Sequence, residues 1–296
     1  MTGLTDVPII GICLVRNEDR FIAWSLNNVA AFCDRILVLD NGSTDGTRPI
    51  LEAVAKTHPH IEIHDVPDAY DTHRFVEGFA GRKCWVLGVD GDEIYAPSAL
   101  SRLRKRLSQG EFDAYWRLSG NTLHACAFDL PAQRASGYCP PASRSITKLY
   151  NFNAIESWSQ GRHQRLHGKS MVFRPGFDAQ KTYKVWEHAG WDAADLHCLH
   201  LCFAPRSSQT ATGGGRTNPS EEMKAATPLR RLRKRIATAL GIAERPNYKM
   251  KNYSNGPVVE RSISDFGRPG DYAAHDPSSA DSEAMLAKLA TLRIDS

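Results

Sequence analysis

The chain has 296 residues, of which 42% are hydrophobic and 24% are charged, and this balance excludes a disordered or fibrous protein. Its net charge is +4, but residues 1–205 carry 22 Lys and Arg against 23 Asp and Glu, so the excess positive charge lies in residues 206–296. Seven cysteines are scattered without a CxxC pair, and neither a signal peptide nor ~20 successive apolar residues can be found. We therefore expect a cytoplasmic protein.

Apolar runs alternate with helical spacings along the first 110 residues. The predicted strands are the apolar runs at 7–15, 35–39 and 84–89 and the alternating segment at 61–66. A segment with helical spacing follows each of the first two strands, and the second of these segments ends at His58-Pro59. A third predicted helix begins at Pro97 and ends at Gly110. Repeated strand and helix alternation predicts an α/β fold with a Rossmann-like, mostly parallel sheet over residues 1–110.

The pattern changes after residue 110. Short aromatic-rich pieces separated by turn residues predict a mixed, partly antiparallel half over 111–205. The Gly-rich stretch at 210–222 is typical of a linker, and LRRLRKRIATAL at 229–240 predicts an amphipathic basic helix. The composition of 245–296 indicates loose order. We thus divide the chain into two halves of one domain, 1–110 and 111–205, and a tail of linker, basic helix and loosely ordered segment, 206–296.

Polar residues follow each predicted strand, at the sheet edge where ligands collect in open α/β sheets. They are Arg16-Asn17-Glu18, the segment from Asp40 to Thr47, Asp65, and Asp90-Gly91-Asp92-Glu93. Asp90 and Asp92, separated by a glycine that permits a tight turn, can face one hard divalent cation such as Mg²⁺ or Mn²⁺. The alternative for this pair is a solvated acidic turn before the helix at Pro97.

Two segments together resemble the family 2 glycosyltransferases. They are RNEDRFIAWSLNNVAAFCDRILVLDNGSTDGT and, about fifty residues later, WVLGVDGDEIY. In that family a strand leads into an (Arg/Lys)-Asn-Glu turn, the next strand ends in Asp-x-Gly-Ser-x-Asp-Gly-Thr, and a later strand ends in Asp-x-Asp. The resemblance covers residues 7 to about 110. It implies a GT-A fold, a nucleoside-diphosphate sugar donor, first of all a UDP-sugar, a Mn²⁺ or Mg²⁺ cofactor and an inverting transfer.

The resemblance also implies roles for individual residues. Those implied to bind the nucleotide are Arg16, Asn17, Asp40, Arg74 and Asp90. Asp90 and Asp92 are implied to hold the metal. Two of these residues have simpler alternatives, because Asp40 could accept backbone N–H groups of the turn that follows it and Arg74 could be a surface helix residue.

A histidine in the second half is implied to complete the metal or diphosphate site, and we expect it to be a metal ligand. HCLHLCFAPRS, at 197–207, resembles the family segment in which a His is followed by (Lys/Arg)-Ser, and His200 matches that position. If this piece is a strand, Cys198, His200 and Cys202 share a face. Three ligands at that spacing make a poor zinc site, so we expect the two thiols to pack in the core.

The general base is left open by the sequence. WSQGRHQRLHG, at 158–168, resembles a Trp-x-Gly-x-x-His-Glu segment of some family members, but Gln164 stands where the Glu is expected and cannot take a proton. An inverting transfer needs a base beside the acceptor hydroxyl. The candidates are His163 and a neighbouring acid, Glu187 or Asp192.

These observations favour a metal-dependent, inverting glycosyltransferase acting on a glycan, lipid-linked or envelope-polysaccharide acceptor. The basic segment 229–242 would then rest on an anionic membrane surface, although a solvated or dimer-forming helix is an alternative. A non-catalytic nucleotide-sugar-binding or glycan-binding relative is a second hypothesis. A sugar nucleotidyltransferase is a third, but it needs a Gly-rich loop after the first strand, which RNEDR lacks. We expect no nucleic-acid binding, because the core has no basic face.

Overall fold

A computed structural model of the chain describes residues 7–146, 148–158, 166, 171–209 and 252–268. Within this part of the chain four α-helices are seen, α1 (Ile22–Ala30), α2 (Thr47–Thr57), α3 (Arg74–Glu77) and α4 (Pro97–Ser108). The strands, in chain order, are β1 (Ile9–Val15), β2 (Arg35–Asp40), β3 (Ile61–Asp65), β4 (Trp85–Val89), β5 (Glu93–Tyr95), β6 (Arg117–Ser119), β7 (Asn121–Asp129), β8 (Arg134–Tyr138), β9 (Lys148–Asn151), β10 (Ile155–Trp158), β11 (Met171–Phe173), β12 (Thr182–Lys184), β13 (His197–His200) and β14 (Val259–Ser262). None of the helices described is both long enough and apolar enough to pass through a bilayer.

The larger sheet has seven strands in the order β12-β6-β9-β4-β1-β2-β3. Strands β1 to β4 are parallel to one another, β9 runs antiparallel to its neighbours β4 and β6, and β12 is parallel to β6. Six of the seven strands therefore point the same way. The predicted fold class, a mostly parallel Rossmann-like sheet followed by a mixed half, is confirmed.

Strand β1 occupies the centre of this sheet because its side chains are apolar on both faces. Ile9, Cys13 and Val15 pack on one side with α1 and α2, while the alternating Ile10, Ile12 and Leu14 pack on the other. A run of this kind is stable only between two covering layers. The carboxyl end of β1 is thereby fixed beside the ends of β2 and β4.

The second sheet has five strands in the order β14-β8-β7-β13-β5. Strand β5 follows the acidic turn at the end of β4 and pairs antiparallel with β13, which places Glu93 opposite His200. On its other side β13 pairs parallel with β7, which places His200 beside His124. The second sheet therefore brings His200 next to the end of β4.

Residues 252–268 correct the expectation of loose order in the tail. β14 pairs with β8, and the carbonyl oxygen of Phe266 accepts hydrogen bonds from Trp24 Nε1 at 2.7 Å and Asn28 Nδ2 at 2.6 Å. Phe266 is 1% exposed. The composition of the tail did not predict this packing, because only a few apolar residues hold a segment that is otherwise rich in Ser, Asn and Gly. The predicted linker at 210–222 and basic helix at 229–240 lie outside the described residues.

Candidate active site

The loops that follow β1 and β2 are joined by hydrogen bonds. The backbone N–H of Asn17 donates to Ser43 Oγ at 3.1 Å, and the N–H of Thr44 donates to Asn17 Oδ1 at 2.8 Å. The N–H of Glu18 donates to Thr47 Oγ1 at 2.8 Å, at the first residue of α2. Asn17 has a φ of 55°, a left-handed conformation that Asn tolerates better than most residues. The two loops thus form one polar wall at the carboxyl edge of the sheet.

Asp40 and Arg16 lie on this wall with different surroundings. Asp40, at the end of β2, is 4% exposed, and its Oδ1 accepts a hydrogen bond from the N–H of Ser43 at 2.9 Å. Its Oδ2 lies 3.9 Å from Nη1 of Arg48. The turn-stabilising alternative therefore accounts for one oxygen of Asp40. Arg16, one residue beyond β1, is exposed.

The acidic turn after β4 is packed against the loop after β1. Asp92 is 2% exposed, so the solvated-turn alternative does not describe it, and Asp90 is partly buried. A Cβ placed on Gly91 would lie 2.1 Å from Glu18 Oε2 and 3.2 Å from Glu18 Cβ. A side chain at position 91 would therefore displace the Glu18 carboxylate, which passes directly over the turn.

Arg206 and His200 both approach the buried carboxylate of Asp92. Nη1 of Arg206 lies 3.2 Å from Asp92 Oδ2 and 3.2 Å from Glu18 Oε1. Nε2 of His200 lies 3.7 Å from Asp92 Oδ2. The side chains of Glu18 and Asp92 are both 3% exposed, so the guanidinium offsets the cost of burying two carboxylates close together.

The residues after Arg206 connect this centre to the wall formed by the loops after β1 and β2. Ser207 Oγ donates to Asp45 Oδ2 at 2.5 Å, the N–H of Ser208 donates to Asp19 Oδ1 at 2.7 Å, and Gln209 Nε2 donates to the carbonyl of Thr44 at 2.8 Å. The segment 206–209 therefore lies across both loops.

A second buried histidine, which the sequence analysis missed, contacts His200. Nδ1 of His124 lies 2.7 Å from Nδ1 of His200, and Nε2 of His124 lies 2.7 Å from the carbonyl oxygen of Arg144. Burial lowers the pKa of His124 to about 4. Cys202 joins the pair, since one ligand atom from each of the three residues lies within 4.8 Å of the others. Cys198 instead is 0% exposed and belongs to the hydrophobic core, which is the packing expected for it.

A cavity adjoins the acidic turn. Its lining residues are Gly88, Asp90, Glu93, Ile146, Lys148, Tyr150 and Leu166. Glu93 lies in β5, is 3% exposed, and accepts a hydrogen bond from the hydroxyl of Tyr95 at 2.8 Å. Lys148 brings a positive charge to this cavity from β9. Nothing in the local sequence pattern marks Lys148, because its position depends on the pairing of β9 with β4.

Two other residues singled out from the sequence, Glu187 and Arg74, make their described contacts away from the acidic turn. Glu187 is in a short 3₁₀ turn, its side chain is 52% exposed, and it pairs with Lys184 Nζ at 2.9 Å. Arg74 is 67% exposed and pairs with Asp71 at 2.7 Å, as a surface helix residue would. His163 lies outside the described residues.

Comparison with known proteins yields one family match. The family model described as Glycosyl transferase family 2 matches residues 12–174. Among solved structures, a mannosyltransferase from Pyrobaculum calidifontis in complex with GDP-Man and Mn²⁺ is 14% identical, with 98% of this chain and 78% of that chain covered and a TM-score of 0.40.

A second solved structure is similar over much of both chains. Glucosyl-3-phosphoglycerate synthase from Mycobacterium tuberculosis, in complex with Mn²⁺, UDP-Glc and phosphoglyceric acid, is 15% identical, with 87% of this chain and 90% of that chain covered and a TM-score of 0.40. No curated protein matches the sequence.

Proposed function

The chain belongs to glycosyl transferase family 2, whose model matches more than half of it, and we propose that this glycosyltransferase moves a sugar from a nucleoside-diphosphate donor with a divalent cation and inversion at the anomeric carbon. One observation carries the proposal. Asp92, after β4, and His200, at the end of β13, come within 3.7 Å of each other at the carboxyl edge of the parallel sheet. Ligands of open α/β sheets bind at this edge.

The nucleotide is proposed to bind along the wall formed by the loops after β1 and β2. Asn17 supports this assignment because its hydrogen bonds fix the two loops relative to each other. Asp40 keeps one carboxylate oxygen, Oδ2, that the turn after β2 does not use. Arg16 is exposed beside it and supplies charge for phosphate or base contacts. Arg74 is also proposed to approach the nucleotide, since its long side chain is 67% exposed and can turn toward a ligand.

The two halves are proposed to divide the substrates between them. Residues 1–110 would bind the nucleotide and residues 111–205 would bind the acceptor, a glycan, a lipid-linked sugar or an envelope polysaccharide. The cavity between the acidic turn and β9 supports this division, because its lining combines Asp90 and Glu93 from the first part with Lys148 and Tyr150 from the second. The basic segment 229–242 is proposed to contact an anionic membrane surface.

The residues at the acidic turn fit a divalent cation. Asp90 and Asp92 offer carboxylate oxygens and His200 offers an imidazole nitrogen, and this set suits Mn²⁺ or Mg²⁺, with the nitrogen favouring Mn²⁺. The cation, when bound, would neutralise the charge that builds on the departing diphosphate. Arg206 would remain beside Asp92 and Glu18, where its charge also favours the binding of a diphosphate.

The acceptor hydroxyl must lose its proton as it attacks the anomeric carbon. His163 and Glu187 remain the proposed bases. Glu187 is compatible with the role because its side chain is 52% exposed and so accessible to an acceptor, and it pairs with Lys184 Nζ at 2.9 Å. The test replaces each residue by Gln and measures donor hydrolysis, sugar transfer and nucleotide binding. The base is the residue whose replacement abolishes transfer while nucleotide binding persists.

The test is thermal stability against a panel of nucleoside diphosphates and their sugars, UDP-sugars first, with and without Mn²⁺ or Mg²⁺. A true donor at about 100 times its Kd stabilises the folded protein by about 2.7 kcal/mol. That is a rise in Tm of roughly 4 °C. We expect a metal-dependent rise with one nucleotide, and release of that nucleoside diphosphate from its sugar on turnover.

Two variants make the test specific. Asp92→Asn should lose the metal-dependent rise, whereas Asp34→Asn, at a carboxylate that pairs with Arg104 on the surface, should keep it. Each variant is compared with itself without ligand, so that a change in basal stability does not enter. Absence of any shift in folded wild-type protein would contradict the donor site. Binding without turnover would favour the non-catalytic alternative.

A further inference from the structure

The contact between His124 and His200 has consequences for which nitrogen of His200 faces Asp92. The two residues are register partners on the parallel strands β7 and β13, and both are buried. Their Nδ1 atoms are 2.7 Å apart, a hydrogen-bonding distance, so one nitrogen must carry the proton and the other a lone pair.

The other hydrogen bond of His124 decides between these two arrangements. Nε2 of His124 lies 2.7 Å from the carbonyl oxygen of Arg144, which can only accept, so Nε2 carries a hydrogen. His124 is 0% exposed, and neither of its hydrogen-bond partners is an anion, so a charged ring would be costly there. The neutral ring has a single N–H. Its Nδ1 therefore presents a lone pair to His200.

His200 must consequently donate from Nδ1. This holds whether the His200 ring is neutral or charged, because Nδ1–H is present in both forms. The other ring nitrogen, Nε2, is the atom that lies 3.7 Å from Asp92 Oδ2 and therefore the one that faces the proposed cation.

We propose that His124 is a positioning residue, which keeps the proton of His200 on Nδ1 and so presents Nε2 as the ligand for the divalent cation held with Asp92. The inference rests on the proposed function, in which His200 is a metal ligand. Partners of this kind commonly fix the tautomer of a ligating histidine.

The surroundings of His124 fix its ring plane as well as its tautomer. The ring of Tyr253 stacks on it, with centroids 4.5 Å apart and 15° between the planes. Tyr253 is itself tied to the loop before β9 through the hydrogen bond from Ser143 Oγ to its carbonyl oxygen, at 2.7 Å. Residues 252–268 therefore contribute to the site although they contain none of the proposed ligands.

A competing arrangement uses His124, His200 and Cys202 together as a metal site. Their ligand atoms are close enough, but two nitrogens on a tetrahedral zinc with Zn–N bonds of about 2.0–2.1 Å stand roughly 3.3 Å apart. The observed separation of 2.7 Å is shorter and matches a hydrogen bond. The geometry thus favours the positioning role.

The primary experiment needs neither metal nor substrate. In metal-free wild-type protein labelled with ¹⁵N-histidine, long-range ¹H–¹⁵N correlation spectra report which ring nitrogen is protonated. We expect a proton on Nδ1 of His200 and on Nε2 of His124, assigned by the signals lost in His200→Gln and His124→Phe. A neutral His200 protonated on Nε2 would overturn the inference.

Two variants of His124 separate positioning from packing. His124→Phe keeps a ring to stack on Tyr253 but removes the acceptor, whereas His124→Asn can place Oδ1 near the position of Nδ1 and accept from His200. We expect His124→Phe to weaken Mn²⁺ binding, followed by electron paramagnetic resonance of the free ion, by about 10–100-fold. His124→Asn should restore much of that affinity and the Nδ1–H form of His200. Unchanged Mn²⁺ affinity in folded His124→Phe would refute the positioning role.

A failure of the proposed function gives a different result. If His200→Gln leaves Mn²⁺ affinity unchanged, His200 is not a ligand and the assignment under the proposed function is wrong, whatever the tautomer spectra show. If His200→Gln weakens Mn²⁺ binding but His124→Phe does not, the inference alone fails. Tight Zn²⁺ binding that is lost in Cys202→Ser would overturn it in favour of the three-residue metal site.

Discussion

Replacing Arg206 by Met should destabilise the protein more than the loss of any exposed ion pair. Nη1 of Arg206 lies 3.2 Å from both Glu18 Oε1 and Asp92 Oδ2, and the two carboxylate side chains are each 3% exposed. Met fills a similar volume without charge, so Arg206→Met leaves two carboxylates buried close together without the guanidinium. Removing one partner of a buried ion pair costs about 3–5 kcal/mol.

The magnitude follows from the burial of the three groups. The side chain of Arg206 is 16% exposed, so water offsets part of the loss and we expect about 3 kcal/mol, at the lower end of that range. For a chain of this size the loss lowers Tm by roughly 5 °C. The matched control is Arg35→Met, because Arg35 pairs with Glu62 on the surface, where the side chains are 45% and 39% exposed. That loss should be at most about 1 kcal/mol.

The assay is urea unfolding at pH 7 in metal-free buffer, with Tm measured in parallel. Adding Glu18→Gln to Arg206→Met removes one of the two buried charges, so the double variant should recover part of the stability that the single variant loses. Equal losses for Arg206→Met and Arg35→Met, or no recovery in the double variant, would refute the electrostatic reasoning.

Three further predictions concern the second sheet. A Cβ on Gly137 would lie 2.1 Å from the carbonyl oxygen of His124, so Gly137→Ala should lower the free energy of unfolding by about 2 kcal/mol or more, and an unchanged urea midpoint would contradict this. Phe266→Ala should cost about 3–5 kcal/mol by the same assay, and a loss below 1 kcal/mol would show that residues 252–268 are not part of the core. Burial lowers the pKa of His197. As the pH falls below about 6.5, the unfolded chain therefore binds a proton at this histidine, whereas the folded chain does not. Stability should therefore fall between pH 7.5 and 5.5, less steeply in His197→Asn, and equal slopes in the two proteins would contradict the assignment.

The sequence by itself determined the first half of the fold. Continuous apolar runs become β1 and β4 because a strand covered on both faces needs apolar side chains at every position. Pro97 and the spacing of Leu100, Leu103 and Leu107 fixed α4 for a similarly local reason. These patterns depend only on residues that are close in the sequence, so the periodicity of apolar residues is enough to predict the elements. The acidic turn after β4 follows directly from the end of a predicted strand.

Only the tertiary structure decided which side chains surround that turn. His124 and His200 are 76 residues apart and meet because β7 and β13 are neighbours, while Arg206 reaches Glu18 across 188 residues. Strand order and register set these contacts, and no local pattern records them. Residues 252–268 also could not be placed from the sequence, because their composition is polar and the burial of Phe266 depends on packing against distant residues. The periodicity of the sequence shows which face of a helix or strand is apolar, whereas the tertiary packing determines which other element covers that face.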